Sequence, residues 1–424
     1  MTTLKNLLTN CILLAVVSAL VGCAGQKSSR SSDDDEGYDY PDDLHAIESM
    51  LVDEHDADWY TEQAEGWKEQ TEEHKDDDWA WLNYFRALNY QFMFTPDVDY
   101  NYRDSVMRSV VEEIADAVPD TYTFYYCAYL YPTKEGEKGF EGEDPSFYAE
   151  KAMKIMPEDS GVKDFDVWMA YLAQNDNHRR MEAFAKKYYD KYIYSQEAIN
   201  MAMNRLNCME DNAIYVGNGD IDIFPFYLIQ QGMGKHKDKL VVCYSFFNIP
   251  EYTQLVYDRL GIGQAPKIDM DNVYSWEDYD LQLQNIIQEM SRRSGRKLYL
   301  SLYMGSQCTT LWDNNGTSYD IGLLYEVSPD EPIDIVQEQR RHYENDIDLS
   351  YVEEPLSDDA WTSDSRLSVS LSQSFQALLD YYRDNDRTKY KKLVKTLRKA
   401  YERGSVKDEY KQYYDDYFDH LEQE

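Results

Sequence analysis

Ala213-Ile214-Tyr215-Val216-Gly217-Asn218-Gly219-Asp220-Ile221-Asp222-Ile223-Phe224-Pro225 marks a change of texture in the chain. Residues 213–216 are a short apolar run of β type, the length of a strand buried on both faces. Gly217-Asn218-Gly219-Asp220 closes it, and glycine permits the tight turn a strand needs before a helix. Residues 223–231 then read as a helix stopped at Gly232. The alternation continues. Residues 240–244 form a second buried run, and 250–260 a helix ending at Gly261. Residues 278–293 form a helix with Leu281, Leu283, Ile286, Ile287 and Met290 facing inward. Residues 297–303 and 322–327 supply a third and a fourth strand. Strands alternating with helices predict a small α/β domain over 211–345 with a mainly parallel sheet.

In such sheets ligand crevices form at the carboxyl ends of the strands. Asn218, Asp220 and Asp222 fall at that place. Asp220 and Asp222 have the oxygens to coordinate a hard cation or to accept hydroxyl hydrogen bonds. The competing reading makes Asp222 a cap that takes the first backbone amides of the helix. Both readings stay open on the sequence.

Outward from this centre the chain is helical. Over 45–210, Trp81, Tyr84, Phe85 and Leu88 recur at i, i+3, i+4 and i+7, and Val106, Val110, Ile114 and Ala117 repeat the stripe until Pro119. Tyr148, Ala149, Ala152 and Met153 mark another helix, as do Phe165, Trp168, Met169 and Leu172. A polar turn at 175–177 leads to Met181, Phe184, Ala185 and Tyr188. Helices return over 346–424, where Tyr390, Leu393, Val394, Leu397 and Tyr401 make one apolar face. The predicted fold class is therefore α+α/β: a helical-hairpin array, an inserted small α/β domain and C-terminal helices.

The chain has 424 residues, 80 acidic against 42 basic, for a net charge of −38. Phosphate backbones demand Lys/Arg surfaces, so nucleic acid is excluded as a partner, as is electrostatic docking on anionic lipid. The 43% hydrophobic content is too rich for a disordered chain. Tyrosine, at 39 residues, outnumbers Phe (14) and Trp (8) together. Cys127, Cys208, Cys243 and Cys308 are scattered with no C-x-x-C pair, which argues against zinc and leaves one disulfide open. His55, between Glu54 and Asp56, reads as part of a solvated helix face. H-E-x-x-H, G-x-S-x-G, P-loop and dinucleotide fingerprints are missing, and no cofactor is expected.

The first 22 residues read as a secretory signal. Lys5 is its positive region, and the apolar run at 12–21 is shorter than the about 20 residues a membrane span needs. Leu20-Val21-Gly22-Cys23 resembles a bacterial lipobox, which implies lipidation at Cys23. Residues 23–44 are a polar tether containing Asp33-Asp34-Asp35-Glu36. That block resembles the acidic export signal of surface-exposed Bacteroidota lipoproteins, displaced about ten residues from its usual place. Outer membrane is the expected location, with the periplasmic and surface faces both open.

Two further resemblances concern the folded chain. Ala152-Met153-Lys154-Ile155-Met156-Pro157 resembles the end of the second helix of a tetratricopeptide repeat, and Ala170-Tyr171-Leu172 the end of the next first helix. A glycine-rich segment at 135–144 interrupts the array. Such repeats imply concave surfaces that bind other proteins. The second covers 210–330. The turn at 213–222, with Phe224-Pro225 and Tyr227-Leu228, is similar to a soluble C-terminal region of Bacteroidota protein O-mannosyltransferase-like membrane proteins. Val241-Val242 through Asn248 and Tyr252, and Gly322 to Pro329, look like its continuation. This resemblance implies a shared accessory domain. It carries over no glycosyl transfer and no catalytic role for Asn218, Asp220 or Asp222.

The expected function is a non-enzymatic outer-membrane lipoprotein acting as a scaffold or assembly subunit, with envelope proteins as partners and a lipid anchor in the membrane. The alternatives are a surface glycan-binding lipoprotein and an envelope enzyme centred on the Asn218-Gly219-Asp220 turn.

Overall fold

Eighteen α-helices and one five-stranded sheet make up the described part of the computed structural model, residues 38–131, 143–175, 178–357, 360–406 and 408–424. The signal at 1–22, Cys23, most of the tether, most of the glycine-rich segment and part of the turn at 175–177 lie outside these residues. The chain divides into two compact units, one of 38–171 with 191–193, the other of 172–190 with 194–424.

The N-terminal unit holds α1 (Ala57–Glu73), α2 (Asp78–Phe94), α3 (Tyr100–Ala117), α4 (Tyr122–Leu130), α5 (Pro145–Ile155), α6 (Glu158–Lys163) and the first part of α7 (Phe165–Gln174). Capping residues set their starts. Asp56, Asp77, Asp99, Thr121 and Asp144 each accept a backbone N–H of the first turn that would otherwise lack a partner. α1 packs on α2, and α4 on α5, as helical hairpins. The stripe expected on α2 is wider than one face. Trp81, Tyr84 and Phe85 are buried and Leu88 half-buried, but Asn83, Arg86 and Asn89 are buried too. Each has a polar partner: Asn83 Oδ1 accepts the Ile47 N–H at 2.7 Å, and Asn89 Oδ1 accepts the Tyr131 hydroxyl. Arg86 Nη2 donates to Asp164 Oδ1 at 2.6 Å, while the Tyr122 hydroxyl donates to Asp164 Oδ2 at 2.6 Å. His55 precedes α1 and lies flat on Trp59, ring centroids 3.7 Å apart.

The C-terminal unit continues through α8 (His178–Tyr188), α9 (Gln196–Cys208), β1 (Ile214–Gly217), α10 (Asp220–Tyr227), β2 (Leu240–Cys243), α11 (Pro250–Leu260), α12 (Trp276–Ser294) and β3 (Leu298–Ser301). After α13 (Thr310–Asn314) come β4 (Ser318–Asp320), β5 (Leu324–Val327) and α14 (Ile335–Arg341). The chain ends in α15 (Thr362–Ser372), α16 (Gln376–Asn385), α17 (Arg387–Arg403) and α18 (Asp408–Gln423). α9 sits in sequence among the N-terminal helices but packs on α10 and α15 within this unit. The expected face of α17 is buried against its neighbours.

The sheet runs β2-β1-β3-β5-β4. β1 pairs with β2 and β3 in parallel, whereas β5 pairs with β3 and β4 antiparallel, so the sheet is mixed rather than mainly parallel. For β4 and β5 the cause is the link Ile321-Gly322-Leu323: three residues cannot make the crossover that parallel strands require. Gly322 sits at φ +109°, and a Cβ there would fall 2.2 Å from the Phe375 ring. Cys127, Cys208, Cys243 and Cys308 are buried free thiols. Among the described residues no helix is long and apolar enough to cross a membrane.

Candidate functional site

β1 lies between two parallel neighbours, and the chain goes first to one side of it and then to the other. That reversal of order is the place where ligand crevices form in open α/β sheets, outside the carboxyl ends of the strands. Asn218, Asp220 and Asp222 follow β1 directly.

Asp222 is fully buried and takes donors from four segments. Its Oδ1 accepts Arg205 Nη1 of α9 at 2.8 Å, the Tyr215 hydroxyl of β1 at 2.6 Å and the Ser301 hydroxyl of β3 at 2.7 Å. Its Oδ2 accepts the Asn218 N–H at 2.8 Å. The approach is so close that a Cβ at Gly217 would lie 2.4 Å from Oδ2. The helix cap at this place is Gly219, at φ +92° and without a side-chain cap bond. Asp222 therefore pins the turn that precedes α10 instead of receiving the helix's own first amides. The Arg205 guanidinium, almost wholly buried, lies 4.2 Å from the centroid of the Tyr303 ring. The carboxylate offsets a charge whose burial would otherwise cost several kcal/mol.

Asn218 joins the loops. Its Oδ1 accepts the Ser245 N–H at 3.3 Å, linking the turn after β1 to the segment after β2. Asp220 is different in kind. It is half-buried, its Oδ1 is sealed from solvent, and that oxygen has no hydrogen-bond partner among the described residues. Burial pushes the Asp220 carboxyl well above the usual carboxylate range, toward the protonated form. A second acid lies on the same edge. The Tyr244 hydroxyl, one residue past β2, donates to Asp280 Oδ1 at 3.1 Å, and burial raises the Asp280 carboxyl as well. Gln284, one turn along α12, donates to the Gln307 carbonyl at 2.7 Å and accepts the Leu311 N–H at 2.6 Å. The carboxyl ends of β1 and β2 thus carry two carboxyl groups that burial holds toward the protonated form. Among the described residues no three His, Cys, Asp or Glu side chains gather where they could hold a metal ion.

No family model, curated protein or solved structure matches the chain. The site's meaning rests on its own geometry. Of the three residues singled out in the sequence, Asp222 is an internal hub, Asn218 a loop tie and Asp220 a carboxyl without a partner on Oδ1. Arg205, Tyr215 and Ser301, which complete the hub, carry no sequence signal beyond a lone arginine among the apolar residues of α9.

Proposed function

We propose that the chain is a non-enzymatic scaffold or assembly subunit of the bacterial cell envelope, an outer-membrane lipoprotein held through Cys23. In this reading the helical hairpins act like tetratricopeptide repeats and present a surface to envelope proteins. The α/β part is an accessory domain of the kind its turn resembles. The observation that carries the proposal is the bonding of Asp222: the most motif-like acid of the chain has its oxygens filled by Arg205, Tyr215, Ser301 and Asn218. A residue so enclosed organises loops and does not meet a substrate. The test is purification from mildly solubilised envelopes, alongside Cys23→Ala. The wild-type chain is expected in the membrane fraction with a stoichiometric protein partner, and the variant outside that fraction. Recovery of the chain alone, or unchanged membrane association of the variant, refutes the proposal.

One observation favours the enzyme reading: the raised, unpartnered carboxyl of Asp220 has the character of a general acid. Asp220→Asn distinguishes the two. A scaffold keeps its cellular phenotype in that variant, and an enzyme loses it.

A further inference from the structure

A groove of about 520 Å³ opens on the C-terminal unit, away from Asp220. Asn212 just before β1, Leu240 at the start of β2 and Arg296 just before β3 all line it, which places it at the amino ends of the parallel strands. The volume lies within the roughly 300–1,000 Å³ typical of small-molecule sites.

Its charge is the reverse of the chain's. Lys237, Lys239, Arg259 and Arg296 line the groove against two carboxylates, Glu182 and Asp238. Across the whole chain acids outnumber bases 80 to 42. Arg259 and Arg296 tip the balance, and the two lysines come from one loop, Gly234-Lys235-His236-Lys237-Asp238-Lys239, which is held in place. Gln230 Nε2 donates to the carbonyls of His236 at 2.8 Å and Lys239 at 2.9 Å. Gly234 and His236 both take left-handed backbone conformations, at φ +72° and +51°.

Lys237, Lys239 and Arg296 are incompletely compensated. The Lys239 side chain is only 4% exposed, with its Nζ 3.3 Å from Asp238 and 3.8 Å from Asp211. Lys237 shares Glu182 with Lys186, which holds that carboxylate more closely, at 2.6 Å against 3.3 Å. Arg296 makes no ion pair among the described residues. A nearly buried ammonium with long contacts gains most from an added anion, because charge-assisted bonds strengthen where water is excluded. Leu240, Val241 and Leu260 supply an apolar wall for the uncharged part of a ligand.

We infer that this groove binds an anionic small molecule, carboxylated or phosphorylated, of about the size of a sugar phosphate or an acidic disaccharide. Lys237 and Arg296 hold its charged group, Lys239 supplies field from beneath, and the apolar wall takes its ring.

Titration calorimetry on the purified chain at low salt tests this with inorganic phosphate, glucose 6-phosphate, digalacturonate, neutral cellobiose and a hexaglutamate peptide. Phosphate or glucose 6-phosphate binding identifies a phosphorylated ligand, and digalacturonate binding a carboxylated one. Either is expected to weaken at least about tenfold in Lys237→Ala/Arg296→Ala, and further as salt screens the contact. Lys237→Glu, at an exposed side chain, gives a second variant should the double one melt early. The inference is overturned if none of the three small anions binds, if cellobiose binds as well as they do, or if binding survives both variants. A response to hexaglutamate alone also overturns it, because the occupant would then be an acidic protein segment.

Discussion

Asp222→Asn removes the charge opposite Arg205 while keeping the shape of the side chain. All four contacts of Asp222 are donors: Arg205 Nη1, the Tyr215 and Ser301 hydroxyls, and the Asn218 N–H. An asparagine amide therefore faces a donor whichever way it is turned. Its least costly orientation keeps oxygen toward Arg205 and sets NH2 against the Asn218 N–H. Breaking a buried ion pair by neutralising one partner costs about 3–5 kcal/mol, because the remaining charge stays buried. The Arg205 side chain is 2% exposed and cannot turn to water in place, so about 3 kcal/mol is expected for Asp222→Asn and about 5 for Asp222→Ala. Against a typical total of about 5–15 kcal/mol, the unit should fold but open far more often.

Hydrogen exchange at the amides of β1 and β3 reads that opening for the C-terminal unit alone. At about 1.4 kcal/mol per decade, protection should fall roughly a hundredfold in Asp222→Asn. Arg205→Met closes a double-mutant cycle: it leaves Asp222 with three neutral donors, and the two changes should couple by about 2 kcal/mol. A loss of protection under about fivefold, or strict additivity, would show that the carboxylate does not compensate Arg205, and the hub argument would fall.

Four further outcomes are expected. Asp220 ionises near 3.8 when unfolded but above that when folded, so between those values the folded chain binds more protons and loses stability as pH rises. Asp220→Asn should therefore gain on wild type in thermal melts as pH rises above 4, and a difference independent of pH would contradict the burial of that carboxyl. Gly322→Ala forces an L-residue to φ +109° and its Cβ onto the Phe375 ring, costing about 2–4 kcal/mol in urea unfolding; a neutral effect would refute the hairpin geometry. Asp164→Ala removes the carboxylate to which Arg86 Nη2 and the Tyr122 hydroxyl donate and should cost about 3–5 kcal/mol, seen as faster exchange in α2 and α4 but not in β1. Burial raises the thiols of Cys243 to about 11 and Cys308 to about 12, with Cys127 and Cys208 raised as well. Iodoacetamide at pH 8 should leave all four unlabelled until urea is added, and native labelling mapped to any of them would contradict their burial.

The elements that carried a strong local pattern were legible in the sequence. β1 and β2 are continuous apolar runs bounded by turns, and α11 and α12 end at Gly261 and Gly295, both in left-handed conformation. β4 was not legible: Ser318, Tyr319 and Asp320 are all half-buried, with no apolar alternation, and the strand exists because β5 folds back on it. The boundary between the two units was hidden for another reason. It falls at Tyr171 and Leu172, inside the continuous helix α7, where no proline, glycine or serine run announces a linker. The turn at 217–220 was located from its glycines, but its chemistry was not. Whether Asp222 faces a ligand or an arginine depends on where α9 packs, and a single arginine in a helix reads as surface until a buried carboxylate is found beside it.

The acidic balance of the chain is not spread evenly over its surface. Part of the −38 does structural work at helix starts, where Asp56, Asp77, Asp99, Asp144, Asp334 and Asp386 each accept a backbone amide. Basic residues are in turn concentrated rather than diluted. The loop at 234–239 carries three lysines and a histidine, and α17 carries eight of the chain's 42 cationic residues. At physiological salt, exposed charges influence one another over only about 8 Å. A partner that must lie across a wide surface, such as a nucleic acid, is expected to meet more acidic than basic charge. A small anion entering the groove beside Lys237 and Arg296 meets mainly its cations. Net charge thus argues against large polyanions and leaves a small anionic ligand to local geometry.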